Sequence, residues 1–210
     1  MGTLKDIGYK VVKNFLTDKE ATLIKEYCTL RHKINWNDTN LNDFVQNNNG
    51  DTSIYADPLT EALMISKTKL MEQESGLRLF PTYSFWRMYT YNAELKPHLD
   101  RESCEISVTV MFGSDGTSWP FFVKDKKIEL EPGDAVLYLG TQVKHWRESF
   151  TGDWHAQGFL HYVDQGGPYA DWKKDKRSHF ALRNEYLAKQ ESLRKRKKGQ
   201  FKEIPIKENK

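Results

Sequence analysis

A chain of 210 residues with 38% hydrophobic content has material for one substantial core, and no apolar run is long enough to cross a bilayer as a helix. Two cysteines, Cys28 and Cys104, make no disulfide framework, and no basic-then-apolar leader opens the sequence, so a reducing, cytoplasmic setting is expected. The formal charge of +3 conceals a division: positions 173–210 hold 14 Lys and Arg against 5 Asp and Glu, a net of +9, whereas the preceding 172 residues carry −6.

The first predicted element is a helix. Thr17-Asp18-Lys19-Glu20 forms a capping box, and Leu23, Tyr27 and Leu30 follow at helical spacing. The Asn-rich stretch from Asn35 to Asp51 reads as a long polar loop placed to cover a site. Asp57-Pro58 is an N-cap with proline at the first helical position, leading into Leu59, Leu63 and Leu70. Beyond it the period changes. Tyr83 to Tyr91 is rich in aromatic residues, and Ile106 to Phe112 alternates apolar with small polar residues, both strand-like. Turn signals then recur at Gly113-Ser114-Asp115-Gly116, Lys124-Asp125-Lys126-Lys127 and Pro132-Gly133-Asp134. Helices followed by short punctuated strands predict an α+β, mainly β domain over residues 1–172, with a basic tail over 173–210, helical in part or disordered.

Between the two strand-like runs stands His98-Leu99-Asp100. In a strand, residues i and i+2 share a face, so one short motif presents an imidazole and a carboxylate to the same point. Those donors suit a borderline divalent cation, and one more histidine would complete a three-ligand face with open positions. His145, beyond Pro132-Gly133-Asp134 and Ala135-Val136-Leu137-Tyr138-Leu139, is the expected third ligand, and His161 is the rival.

Taken in order, Arg87-Met88-Tyr89, Lys96-Pro97-His98-Leu99-Asp100, Pro132-Gly133-Asp134-Ala135-Val136-Leu137, His145-Trp146-Arg147-Glu148 and His161-Tyr162-Val163-Asp164 resemble the 2-oxoglutarate and Fe(II)-dependent dioxygenases, prolyl 4-hydroxylase-like branch. The resemblance implies a double-stranded β-helix, a cupin-like jelly roll with N-terminal helices packed on one sheet. It further implies Fe(II) held by His98, Asp100 and His145, and 2-oxoglutarate as co-substrate, with ascorbate as an accessory reductant. The implied reaction hydroxylates an unactivated C–H bond, with decarboxylation of 2-oxoglutarate to succinate. Such enzymes take peptidyl proline, free amino acids or other small molecules, so a peptide or small-molecule partner follows, and prolyl hydroxylation by analogy.

The sequence departs from the family at the co-substrate clamp. A basic residue is usual about ten positions after the distal histidine, and here that slot holds His155, with no Arg or Lys between Arg147 and Lys173. A protonated His155, supported by Gln157 on the same strand face, is the first expectation for the clamp, and Arg147 the second. In the first case 2-oxoglutarate affinity would fall as pH rises through neutrality. Tyr89 matches the family's co-substrate tyrosine without a gap, and Tyr91 does so if two residues are missing from the following loop. Trp119, Trp146 and Trp154 either line a peptide groove or pack the sheets. Two other readings stay open: a non-catalytic jelly-roll metal-binding protein, and an oxygenase recruited to nucleic acid by Arg194-Lys195-Arg196-Lys197-Lys198.

Overall fold

The computed structural model describes residues 4–37 and 50–182. In chain order the elements are α1 (Leu4–Ile7), β1 (Tyr9–Val12), α2 (Asp18–Asn37), β2 (Thr52–Tyr55), α3 (Pro58–Ser66), α4 (Thr68–Ser75), β3 (Leu79–Thr90), β4 (Leu95–His98), β5 (Ile106–Ser114), β6 (Phe121–Val123), β7 (Lys126–Ile128), β8 (Ala135–Leu139), β9 (His145–Arg147) and β10 (Trp154–Asp164). A six-stranded sheet runs β1-β8-β5-β10-β3-β2 and a four-stranded sheet β4-β9-β6-β7, with antiparallel pairing throughout. This is the two-sheet jelly roll expected from the sequence, with the helices laid on the outside of the larger sheet.

The strands divide their side chains by parity. On β10, Ala156, Leu160 and Tyr162 join Ile24, Cys28, Leu63, Met64 and Met71 of the helices in one core. The alternate set, His155, Gln157, Phe159 and His161, faces the space between the sheets, where it meets Trp119, Arg147, Phe85 and Tyr83 respectively. A second core of Phe121, Val123, Val136, Tyr138 and Val143 closes the far end of that space.

The predicted capping box is present: Glu20 accepts from the Thr17 amide at 2.8 Å, and the Glu20 amide donates to Thr17 Oγ1 at 3.3 Å. The face of α2 that packs is only partly the expected one, since Tyr27 lies against the core but Leu23 and Leu30 do not. Ala21, Ile24 and Cys28 are buried, while Leu23 is 63% and Leu30 59% exposed. Two stripes satisfy helical spacing here, and the one carrying the small Ala21 and Cys28 lets the helix approach the sheet more closely. The second predicted helix is capped by Asp57 as read, its side chain accepting from Leu59 and Thr60 amides, but it breaks at Lys67 into α3 and α4. Most of the Asn35–Asp51 loop and the Arg194–Lys198 cluster lie outside the described residues.

The sequence-based boundary at 172/173 falls inside a packed segment. Residues 170–182 run back over the domain, where Asp175 and Arg177 are buried. Arg101 forms two hydrogen bonds of 2.9 Å to Asp175, and Arg177 reaches Glu61 at 2.5 Å.

Candidate metal centre and adjoining anion pocket

β4 and β9 pair so that His98 stands directly opposite His145. Their rings are 4.2 Å apart. Asp100, two residues past His98, is held by its own amide, which donates to the Gly140 carbonyl at 2.8 Å. Asp100 Oδ1 then lies 3.6 Å from His98 Nε2 and 3.5 Å from His145 Nε2. His98 Nδ1 donates to the Lys96 carbonyl at 2.7 Å and His145 Nδ1 to the Val143 carbonyl at 3.0 Å. Each backbone carbonyl fixes the ring proton on Nδ1 and leaves the Nε2 lone pair directed at Asp100 Oδ1.

The electrostatics suit a cation at that point. Burial pushes the Asp100 carboxyl up, but His145 and His98, when protonated at Nε2 as well, donate to it and hold the group well below the usual carboxylate range; with the rings neutral, a cation takes the place of those protons. Asp100 in turn raises His98 against its partial burial. One carboxylate between two imidazole nitrogens is the donor set of a two-histidine, one-carboxylate site, so the residues present fit Fe(II). His98 is 37% exposed at the side chain, which leaves a way in, while His145 is 2% exposed and anchors the site to the core.

Gly140 is the residue that the sequence reading missed. A methyl group there would collide with the Cys104 carbonyl and come within 2.5 Å of Asp100 Oδ2. Only the absence of a side chain lets Asp100 sit against this strand end. Ser107 is the other omission: its hydroxyl is 3.2 Å from Asp100 Oδ2 and 2.8 Å from His161 Nδ1. His161 is thus not beside the other two histidines' nitrogens but behind Asp100, on the far side of the carboxylate. Burial lowers its pKa to about 4, which keeps it neutral.

Two residues beyond His145, Arg147 points into the space between the sheets and is 3% exposed. Its guanidinium donates to the Trp119 carbonyl and, at 3.1 Å, to Gln157 Oε1, and it lies 4.6 Å above the Trp119 ring. Burial lowers its pKa only to about 10, so it remains a cation at neutrality. Among the described residues no carboxylate pairs with it.

His155 also enters this pocket, but not as the expected imidazolium. Burial and the neighbouring Arg147 charge lower its pKa to about 3. Arg147 orients the Gln157 amide with Oε1 toward itself, so His155 Nε2, 2.8 Å from the same oxygen, carries the ring proton. His155 Nδ1 is left as a buried acceptor without a partner. Gln157 Nε2 donates to Thr109 Oγ1 at 2.7 Å, completing the wall. Of the two tyrosines, Tyr89 is buried and packs against Trp119 at 4.8 Å. Tyr91 lies past the end of β3, 61% exposed, and is not brought into the pocket.

The three tryptophans do not share a groove. Trp119 packs with Tyr89, Phe150 and Ala93 inside the barrel. Trp154 lies against the helix-side core, and Trp146 stacks on Phe122 at 5.2 Å. They pack the sheets.

No family model matches the sequence, and no curated protein does. The fold does match solved structures. A prolyl-4-hydroxylase from Pseudomonas putida aligns with a TM-score of 0.56 at 17% identity, covering 77% of this chain and 95% of that one. A viral collagen prolyl hydroxylase from Paramecium bursaria Chlorella virus-1, solved with 2-oxoglutarate, gives 0.58 at 10% identity over 77% and 98%. EctD from S. alaskensis, with 2-oxoglutarate and 5-hydroxyectoine, gives 0.60 at 13% identity over 75% and 72%. The chain therefore has the double-stranded β-helix fold that these oxygenases share.

Proposed function

We propose that the protein is a 2-oxoglutarate- and Fe(II)-dependent oxygenase, a member of the family its motifs resemble. The observation that carries this reading is Arg147: a buried, permanently charged guanidinium with only neutral partners, on the same strand as one member of a His–Asp–His cluster. An unpaired buried charge is expensive, and an anion of the right length would relieve it. The distal carboxylate of 2-oxoglutarate is such an anion, and Arg147 forks onto it better than a neutral His155 does.

His98, Asp100 and His145 would hold the iron through Nε2, Oδ1 and Nε2. Arg147 would hold the co-substrate's far end, with Gln157, Thr109 and His155 as the polar wall and Trp119 and Tyr89 excluding water. Bound together, Fe(II) and 2-oxoglutarate supply the oxidation of an unactivated C–H bond, coupled to decarboxylation to succinate. The protein's part is orientation and dryness: backbone carbonyls set the imidazole tautomers, and the buried strand β9 joins the cation and anion sites through His145 and Arg147 in a fixed spacing. His98, the most open of the three ligands, marks the side from which a substrate approaches. The hydroxylated partner on this reading is a small molecule or peptide, with peptidyl proline the first candidate because two structural neighbours carry that name.

The test is an anaerobic titration of the Fe(II)-loaded protein with 2-oxoglutarate, following the weak visible charge-transfer band of the chelate. A band in wild type that is lost in His98→Ala and displaced to much higher 2-oxoglutarate in Arg147→Ala is expected. Bound iron with no band at any 2-oxoglutarate concentration would leave a non-catalytic metal-binding protein as the better description.

A further inference from the structure

His161 and Ser107 have no place in the ligand set or the anion pocket, yet both are buried at the back of Asp100. We infer that they form a positioning pair which claims Asp100 Oδ2 and leaves Oδ1 as the oxygen that would be offered to a metal. The inference rests on the metal reading above.

Asp100 divides its two oxygens between two environments. Oδ1 faces His98 and His145 Nε2 at 3.6 and 3.5 Å. Oδ2 is turned toward β5 and the end of β8, where Gly140 leaves it room and the Ser107 hydroxyl lies 3.2 Å away. That hydroxyl has one proton and three acceptors within reach: Asp100 Oδ2, the Cys104 carbonyl at 3.0 Å and His161 Nδ1 at 2.8 Å. When Nδ1 is itself the donor, the Ser107 proton is left to the Cys104 carbonyl and Asp100 Oδ2, of which the charged carboxylate is the stronger acceptor; when Nδ1 accepts, it competes for that proton at the shortest distance.

The ring is fixed for this task. His161 pairs directly across from Ser107 in the β10–β5 ladder. Its ring packs on Tyr83 with centroids 4.5 Å apart, and the Tyr83 hydroxyl is 3.1 Å from Cys104 Sγ. Arg101, the residue after the ligand carboxylate, lies 4.7 Å over the other part of that stack. Strand pairing and ring packing therefore set the direction of Nδ1 before any metal arrives. A carboxylate capped at one oxygen occupies one coordination position instead of two, which preserves open positions for exogenous ligands.

The competing use of the same residues is a second metal site, since Asp100, Cys104 and His161 also offer donor atoms within 4.8 Å of one another. The Ser107 hydroxyl, 2.8 Å from His161 Nδ1 and 3.2 Å from Asp100 Oδ2, argues against it, because a cation there would have to break that bridge.

The experiment titrates metal-free protein with Co(II), in the absence of 2-oxoglutarate, reading stoichiometry, affinity and the visible ligand-field spectrum, alongside the melting temperature of each metal-free variant. One Co(II) per chain is expected, lost in His98→Ala. Ser107→Ala and His161→Leu should each weaken Co(II) by roughly 10–100-fold, the usual effect of removing a partner of a metal ligand, and shift the spectrum. The double variant should be little worse than either single one. His161→Asn, whose amide N–H can replace Nδ1–H, should recover most of the affinity. Wild-type affinity and spectrum in His161→Leu and Ser107→Ala would overturn the inference, as would His161→Asn failing like His161→Leu. So would two Co(II) per chain in wild type falling to one in His161→Leu, which would make His161 a ligand. Failure of wild type to bind Co(II), or unchanged binding by His98→Ala, would sink the metal centre itself.

Discussion

At the scale of single residues, Gly140 decides how close Asp100 comes to the two histidines. Its substitution by alanine forces a methyl group against the Asp100 carboxylate and the Cys104 carbonyl. The carbonyl cannot yield cheaply and moving the carboxylate alone would not relieve it, so the strand end and the Asp100 it holds should shift together. Gly140→Ala is therefore expected to lower Co(II) affinity at least tenfold, in the range seen when a ligand's support is removed, while the metal-free protein still melts cooperatively. Unchanged affinity would show that Asp100 is not confined by this strand end. Arg147 carries the second residue-scale prediction. Truncating one partner of a buried hydrogen-bonded charge pair costs about 2–5 kcal/mol, so Arg147→Ala should raise the 2-oxoglutarate dissociation constant at least thirtyfold and leave Co(II) binding intact. Because His155 titrates near 3 and Arg147 near 10, neither changes charge between pH 6 and 8. Affinity measured by calorimetry should be flat there. A decline with rising pH would restore the protonated His155 first inferred from the sequence.

At the scale of elements, residues 170–182 form a strap whose backbone is unusual. Lys174, Asp175 and Lys176 have φ of +54°, +53° and +59° in succession, a left-handed run that costs about 1–3 kcal/mol per residue for side chains other than glycine. The strap stays because it is tied at both sides: Asp175 accepts from Arg101 and from the Tyr55 hydroxyl, and Arg177 pairs with Glu61 where both side chains are fully buried. Removing one member of such a pair leaves a buried charge alone. Arg177→Met is expected to destabilise the fold by about 3–5 kcal/mol, read as a lower urea midpoint, and a chain ended at residue 172 should lose at least as much. Stability equal to wild type would mean that the strap is ornamental. None of this was visible in the sequence, where Lys173 to Arg177 reads as the start of a basic tail. Charge runs announce composition, not the buried carboxylate that a particular arginine meets. The same limit applies to α2: its capping box was legible, but that Ala21, Ile24 and Cys28 pack beside Tyr27 while Leu23 and Leu30 stay exposed depended on the sheet, and the helix runs to Asn37, past the Asn35 where the loop was expected to begin. Asp57-Pro58 was legible as a start signal, whereas the break at Lys67 followed no proline or glycine.

At the scale of the whole molecule, the His98–Asp100–His145 cluster could be read because two of its members stand two positions apart and His145 follows a Pro-Gly-Asp turn, whereas the groups packed behind Asp100 could not. Gly140, Ser107 and His161 converge through strand pairings between distant parts of the chain, β5 with β8 and β5 with β10, and no local pattern encodes those partners. The facing of β10 into the space between the sheets also buries two imidazoles, His155 beside Arg147 and His161 behind Asp100, with pKa values near 3 and 4 against 6.5 for an exposed ring. Between pH 6.5 and about 4 the unfolded chain binds protons at both positions that the native chain refuses, so the native state loses stability as pH falls through that window. His98 works in the opposite sense, because Asp100 raises its pKa and favours the native state below 6.5. Asp134 and Asp175, both lowered by their partners, add further loss only below the ordinary carboxylate range. Each buried histidine is worth about 2 kcal/mol between pH 7 and 5, and the two together outweigh the opposing His98 and Glu105, the latter raised by burial. The urea midpoint of the metal-free protein should therefore drop on acidification from pH 7 to 5, and His155→Gln, which keeps a polar side chain but takes up no proton, should show a visibly shallower drop. A midpoint that holds constant over that range, or a variant with the same slope as wild type, would mean that water reaches these rings and that the space between the sheets is not dry.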